Sequence, residues 1–366
     1  MLAAMEKPEV NTQTLGAAPE QQRPEFPPVV GERIRHMLTG GSVVDWPRLH
    51  LSTIGDINDF LRVNELDPDD SRDMARIRTV RDRAADYLRI EHRYRLPPEL
   101  LTGDPRDLFL YAAGVKGRRN TRLFACMLLK TIHVIHHLEA RELGQHLPLS
   151  QAEVGHLLEA KVTACVQRLR AMGYRIVDFS GGQKSRTSLI TKLLAKKDTL
   201  AAQVHDRVRF RLVVEEQVDL AVCLDALTRY LFPFNYVVPS QSQNDLLDLS
   251  KLGAPEEPAN GKQHEPARFS GVRLNEFSGA TYRVINFVVD MPLRVPPEVL
   301  ALRGQAEDLG RIIFALAEVQ LVDAATARAN EQGENNHQEY KNRQRQRVRM
   351  RLEQGDAVRQ RDGSED

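Results

Sequence analysis

Tyr174-Arg-Ile-Val-Asp-Phe-Ser-Gly-Gly-Gln-Lys-Ser-Arg-Thr-Ser-Leu-Ile-Thr-Lys192 is the stretch in which the chain changes its period. Upstream of it, from Gly31 to Gly173, the pattern is helical. Leu123, Met127, Leu128, Ile132, Ile135 and Leu138 recur at the spacing of one helix face. Asp104-Pro105-Arg106-Asp107 reads as a helix start, with proline in the first turn and acids at the positive end of the helix dipole. Ser150, three residues before Glu153, reads as a capping box opening a helix through Arg170. From Tyr174 to Phe179, and again from Arg207 to Val214, β-branched and aromatic residues gather as in strands. A helix follows over Val218–Leu231, then strands at Asn235–Val238, Tyr282–Val289 and Ile312–Leu321, and a final helix over Ala324–Leu352. The expected fold is α+β, a mixed β-sheet domain preceded by an all-helical N-terminal region.

Composition bounds the rest. The chain has 366 residues, 42% hydrophobic and 28% charged, enough for a real core. Lys and Arg number 51 against 50 Asp and Glu, so global charge calls for neither nucleic acid nor a membrane. The single cysteines Cys126, Cys165 and Cys223 sit in apolar helical stretches, without the CxxC spacing of a zinc site. Core packing in a reducing cytoplasm is the expectation. No apolar run approaches the roughly 20 residues of a membrane helix. The expected organisation is a disordered leader over 1–28, a helical region over 29–173, a sheet domain over 174–352 carrying a loop insertion at 240–279, and a charged tail over 353–366.

Four segments carry chemistry. In Gly181–Lys192, glycines after a strand precede Lys184, Ser185, Ser188 and then a helix bearing Lys192, a combination suited to phosphate oxygens. A turn followed by a solvated basic helix is the plainer reading. Asp206 lies at the mouth of a strand with Arg211 five residues on; a carboxylate there can hold Mg²⁺ and an arginine can clamp phosphates. Taken alone, such a pair is a surface ion pair. Tyr282 and Asn286, two strand periods apart, are expected on one side of a strand, the tyrosine able to stack on a base or simply to be buried. Glu318 stands inside the apolar run Ile312–Val322, where an ionised carboxylate is costly unless a partner, a metal or a substrate hydroxyl meets it.

In their order, these segments resemble the RelA/SpoT-type synthetase domain. Its motif G-R-x-K-S-x-x-S-I-x-x-K is matched at Gly181, Lys184, Ser185, Ser188 and Lys192, with Leu189 in place of isoleucine. D-L-x-G-I-R is echoed by Asp206 to Arg211, Y-x-S-L-H by Tyr282 alone, and E-V-Q by Glu318-Val319-Gln320. The helix pattern E-x-G-x-x-x-H-x-x-Y-K is met at Glu331, Gly333, His337, Tyr340 and Lys341. The resemblance implies transfer of pyrophosphate from ATP to the 3′-hydroxyl of a nucleotide. It implies Asp206 and Glu318 as catalytic residues that hold Mg²⁺, and a nucleotide gripped by Lys184, Ser185, Lys192, Arg211, Tyr282, Gln320 and His337. Gly182 stands where the family has arginine, and Val284 and Asn286 where it has serine and histidine. The basic loop before the third motif is reduced to Asn235–Pro239. These departures bring in two other readings: a nucleotide-binding regulator without turnover, and transfer to the 3′ end of an RNA.

Two features stand outside the motifs. His133, His136 and His137 share a helix, but no His-Asp pair accompanies them, and satisfied helix histidines are expected in place of a metal-dependent hydrolase. Arg343 to Arg351 spread around a helix, which reads as solvated, with RNA contact as the sharper alternative.

Overall fold

The computed structural model describes residues 28–39, 51–195, 208–249, 252, 281–302, 304, 307–332 and 337–362. The leader expected over 1–28 lies outside them save for its last residue, as do Asp206 and most of the insertion expected at 240–279. Six helices come first: α1 (Pro28–Thr39), α2 (Ile54–Val63), α3 (Ser71–Ile90), α4 (Asp107–Ala113), α5 (Arg119–His146) and α6 (Gln151–Ala171). There follow β1 (Ile176–Gln183), α7 (Arg186–Ala195), β2 (Val208–Val214), α8 (Asp219–Tyr230), β3 (Val237–Asn244) and β4 (Ile285–Arg294). The described chain closes with α9 (Pro297–Leu300), β5 (Ile312–Asp323), α10 (Ala324–Asn330) and α11 (His337–Asp362). The fold is α+β, as the change of period implies. No described helix is long and apolar enough to cross a membrane.

Local chemistry sets many of the boundaries. The Ser150–Glu153 capping box is present in both directions and opens α6. A second box, Thr53 with Asp56, opens α2. Gly114, at φ 78°, ends α4 in the left-handed conformation that glycine adopts without strain. Gly181 belongs to β1, and a Cβ there would meet Phe210 Cδ1 at 2.3 Å, so the missing side chain lets β1 lie close over its neighbour.

The five strands form one sheet in the order β1-β2-β5-β4-β3. β2 and β5 are parallel, and the other pairs are antiparallel. One face carries the main core. Phe210, Val319 and Phe287 face one another in register and are buried with Leu220 and Leu224 of α8, Leu158 and Val162 of α6, and Ile34 of α1. A second cluster joins α2, α3, α4 and α5 through Leu61, Leu88, Leu108 and Leu128. Helices from before Gly173 thus share their apolar core with the sheet that follows it.

Three expectations are corrected. β3 runs on to Asn244, into the segment read as a loop from Ser240; its pairing with β4 is irregular between Val237 and Ser242, around Pro239, which has no N–H for the ladder. Tyr282 precedes β4 and is not on it. The helix expected over Ala324–Leu352 is two helices: α10 ends at Asn330, whose buried side chain donates to Arg283 O and accepts from Arg283 N, pinning that end beside the entry to β4. α11 packs separately against α7, where Arg351 donates to Leu194 O.

Candidate functional site

The opposite face of the sheet is apolar at both ends and polar between. At one end, Phe314 of β5 packs on His136 and His137 of α5. At the other, Val213, Val284 and Val322 cluster with Ala327 of α10, and Tyr282 packs against them. Between these lies a strip set by the two-residue period of the strands. Arg209 is in register with Glu318, and Arg211 with Gln320, which in turn faces Asn286.

Glu318 is the centre of that strip, only 6% exposed. Its Oε2 accepts from Arg209 Nε at 2.8 Å and lies 3.6 Å from Lys184 Nζ. Its Oε1 accepts from Gln320 Nε2 at 3.1 Å. With the Asn286 amide turned so that its nitrogen faces the carboxylate, that nitrogen also donates to Glu318 Oε1 and to Val319 O, each at 3.2 Å. Donors therefore surround both oxygens, which is how a buried carboxylate is made tolerable. Burial raises the pKa of the half-buried Tyr282, opposed by the nearby Arg211 and Arg209, with Glu318 adding to the rise. This places the phenol at the border of the same charge set.

Of the residues expected at the site, the structure brings together Lys184, Glu318 and Gln320, with Tyr282 at the edge. Arg211 shares their face, but its guanidinium lies 3.9 Å from Glu331. Ser185 is exposed at the start of α7, where its hydroxyl accepts from Ser188 N at 3.3 Å. This is the geometry of a helix cap. Gly181 and Gly182 are strand residues, so the expected glycine cradle is absent from that helix start. Lys192 lies two turns into α7, the helix covered by α11. His337 begins α11. Asp206 is outside the described residues.

Sequence reasoning missed Arg209, the closest cation to Glu318. Two signals could have found it. Arg207-Val-Arg-Phe-Arg211 alternates, so Arg209 shares a face with Arg211. Arg209 also occupies the glycine of the D-L-x-G-I-R pattern, a position that would otherwise leave the face open beside the carboxylate. The consequence concerns magnesium. Among the described residues, no group of three or more His, Cys, Asp and Glu is arranged to hold a metal. Glu318 already faces two cations and two amides, so a divalent cation does not fit against it in this arrangement.

No family model matches the chain, and no curated protein matches it. Solved structures do. The small alarmone synthetase 1 from Bacillus subtilis is 12% identical over 64% of this chain and 96% of its own, with a TM-score of 0.30. The same protein bound to its product pppGpp is 13% identical over 58% and 92%, with a TM-score of 0.32. A GTP pyrophosphokinase family protein from Streptococcus pneumoniae is 14% identical over 58% and 93%, with a TM-score of 0.28. These neighbours are small alarmone synthetase and GTP pyrophosphokinase family proteins, to which the chain is similar over more than half its length.

Proposed function

We propose that the polar strip binds the phosphates of a nucleotide, and that the chain is a nucleotide-binding regulator that does not turn its ligand over. The observation that carries this reading is the 2.8 Å pair between Arg209 and Glu318. A carboxylate that must take a hydroxyl proton needs a free lone pair within reach of that proton. Here Oε1 is met by two amides and Oε2 is paired with Arg209, with Lys184 3.6 Å away, so the carboxylate is neutralised by cations that also suit an anion. A phosphate would compete with Glu318 for them, and the guanidinium fork suits two phosphate oxygens. Tyr282 offers a ring at the border of the strip for a base.

Calorimetry with ATP, GDP and GTP, each with Mg²⁺ and with a chelator, tests binding. Saturable binding that survives chelation is expected. Arg209→Ala and Lys184→Ala should each weaken it about ten-fold or more, the worth of one charged hydrogen bond. Labelled ATP incubated with each acceptor should yield no pyrophosphorylated product. Product formation would overturn the regulator reading, and loss of binding in no variant would overturn the site.

The order of the motifs, together with Lys184 and Gln320 flanking Glu318, favours a second reading: transfer of pyrophosphate from ATP to the 3′-hydroxyl of a nucleotide. Glu318 would then have to leave Arg209, and Asp206 and Glu318 would share Mg²⁺. Arg209→Gly frees the carboxylate without touching Lys184. Transfer that rises in Arg209→Gly and vanishes in Glu318→Gln is the result this second reading requires.

A further inference from the structure

The C-terminal end of α3 carries an exposed aromatic stack that the sheet face does not use. Tyr87 is 48% exposed and Tyr94 39% exposed. His92 lies edge-on to Tyr87, with ring centroids 5.2 Å apart, and stacks on Tyr94 at 6.0 Å with an interplanar angle of 26°. His92 Nε2 is 3.2 Å from the Tyr87 hydroxyl, which holds the imidazole in place. Tyr94 meets Phe124 of α5 edge-on at 6.1 Å, and so sits beside the second turn of that helix.

The turn that builds the stack is strained. Arg93 has φ 56°, a left-handed conformation that glycine usually fills, and Tyr94 N donates to Leu88 O, six residues back, across the end of α3. A bulky side chain there is uncommon and persists where its surroundings require it. Arg93 is exposed and lies between His92 and Tyr94 in the chain.

Charge gathers around them. Segments 89–95 and 116–122 hold seven arginines and lysines. Arg89 pairs with Asp86 at 2.7 Å and Lys116 with Asp107 at 2.6 Å. Arg93, Arg95, Arg118 and Arg119 are all exposed. Exposed rings flanked by these four exposed arginines match a strand whose bases are unpaired and whose backbone is anionic. An acidic peptide would use the cations and leave the rings idle, and a duplex hides its base faces.

We infer that the end of α3 with the start of α5 is a binding surface for single-stranded nucleic acid. It is independent of the nucleotide strip, since no residue is shared.

The test uses the full chain and a fluorescent 12-nucleotide oligouridine, with the matching DNA strand, a duplex of that length and polyglutamate as comparisons. Anisotropy should show saturable binding of the single strand, weakening as salt rises. Tyr94→Ala should lower affinity about ten-fold. Arg93→Gly relaxes the turn, so its thermal midpoint should equal or exceed that of the wild type. It should nonetheless bind more weakly, with a salt slope smaller by about 0.7. A structural role alone could not produce more stability and less binding together. Equal affinity for duplex or polyglutamate overturns the inference, as does the absence of binding. Wild-type affinity in both variants also overturns it, and would assign the strand to another surface, such as the arginines of α11.

Discussion

Lowering the pH from about 7 to about 4 is expected to remove roughly 6 kcal/mol of folding stability, because three histidines are buried neutral between α5 and the sheet. His133 stacks on Tyr236 at 5.1 Å, and His137 on Phe314 at 4.1 Å. His136 Nε2 is buried without a hydrogen-bond partner among the described residues. Burial pushes His133 and His136 down to about 4 and His137 to about 3, with Arg76 and His133 adding to the effect on His136. Folded values below the ordinary value mean that the folded chain binds fewer protons. The stability is therefore complete above about pH 6.5 and is lost as the pH falls toward 4.

Asp290 acts in the opposite sense. Burial, against the pull of Arg141, raises its carboxyl to about 6, so the folded form takes up that proton first and gains stability as the pH falls. Asp290 lies 3.6 Å from His137, and the two contributions, about 3 kcal/mol each, roughly cancel. His133 and His136 remain, at about 3 kcal/mol apiece. Guanidinium melts across this range should show the loss, and His136→Leu should halve its slope. Stability that stays level from pH 7 to 4.5 would sink the account. Phe314 and Glu318 lie on the same strand face, so the acid form should also lose the polar strip.

Glu139→Ala is expected to cost about 3–5 kcal/mol and to lower the thermal midpoint by about 5 °C. Glu139 of α5 is 8% exposed and accepts from both Arg76 and Arg83 of α3. Arg76 also donates to Asp308 O, ahead of β5. Burial already lowers the pKa of Arg76, and Glu139 is the main group opposing that shift. Removing the carboxylate leaves a buried guanidinium with one carbonyl, which is why truncating a single partner is worse than replacing the pair. Glu139→Gln keeps acceptors without charge and should fall between wild type and alanine. Calorimetric scanning of the three proteins checks the order, and an alanine variant as stable as the wild type would refute it.

Much of the fold was legible because its signals are short-ranged. The Ser150–Glu153 box, the helical spacing through α5 and the β-branched runs of β2 and β5 each depend on a few neighbouring residues. The breaks were less legible. Asn330 ends α10 through bonds to Arg283, 47 residues away, and no local pattern contains that partner.

The sequence by itself determined that Arg209 and Arg211 share one face of their strand, and Glu318 and Gln320 one face of theirs, since alternation along a strand follows from backbone geometry alone. It singled out Glu318 as a charge in need of a partner. Only the tertiary structure decided that the partner is Arg209, 109 residues away, because the register of β2 against β5 is set by burying Phe210 and Val319 in a common core. A buried charge announces its cost locally, but what offsets it depends on the strand placed beside it.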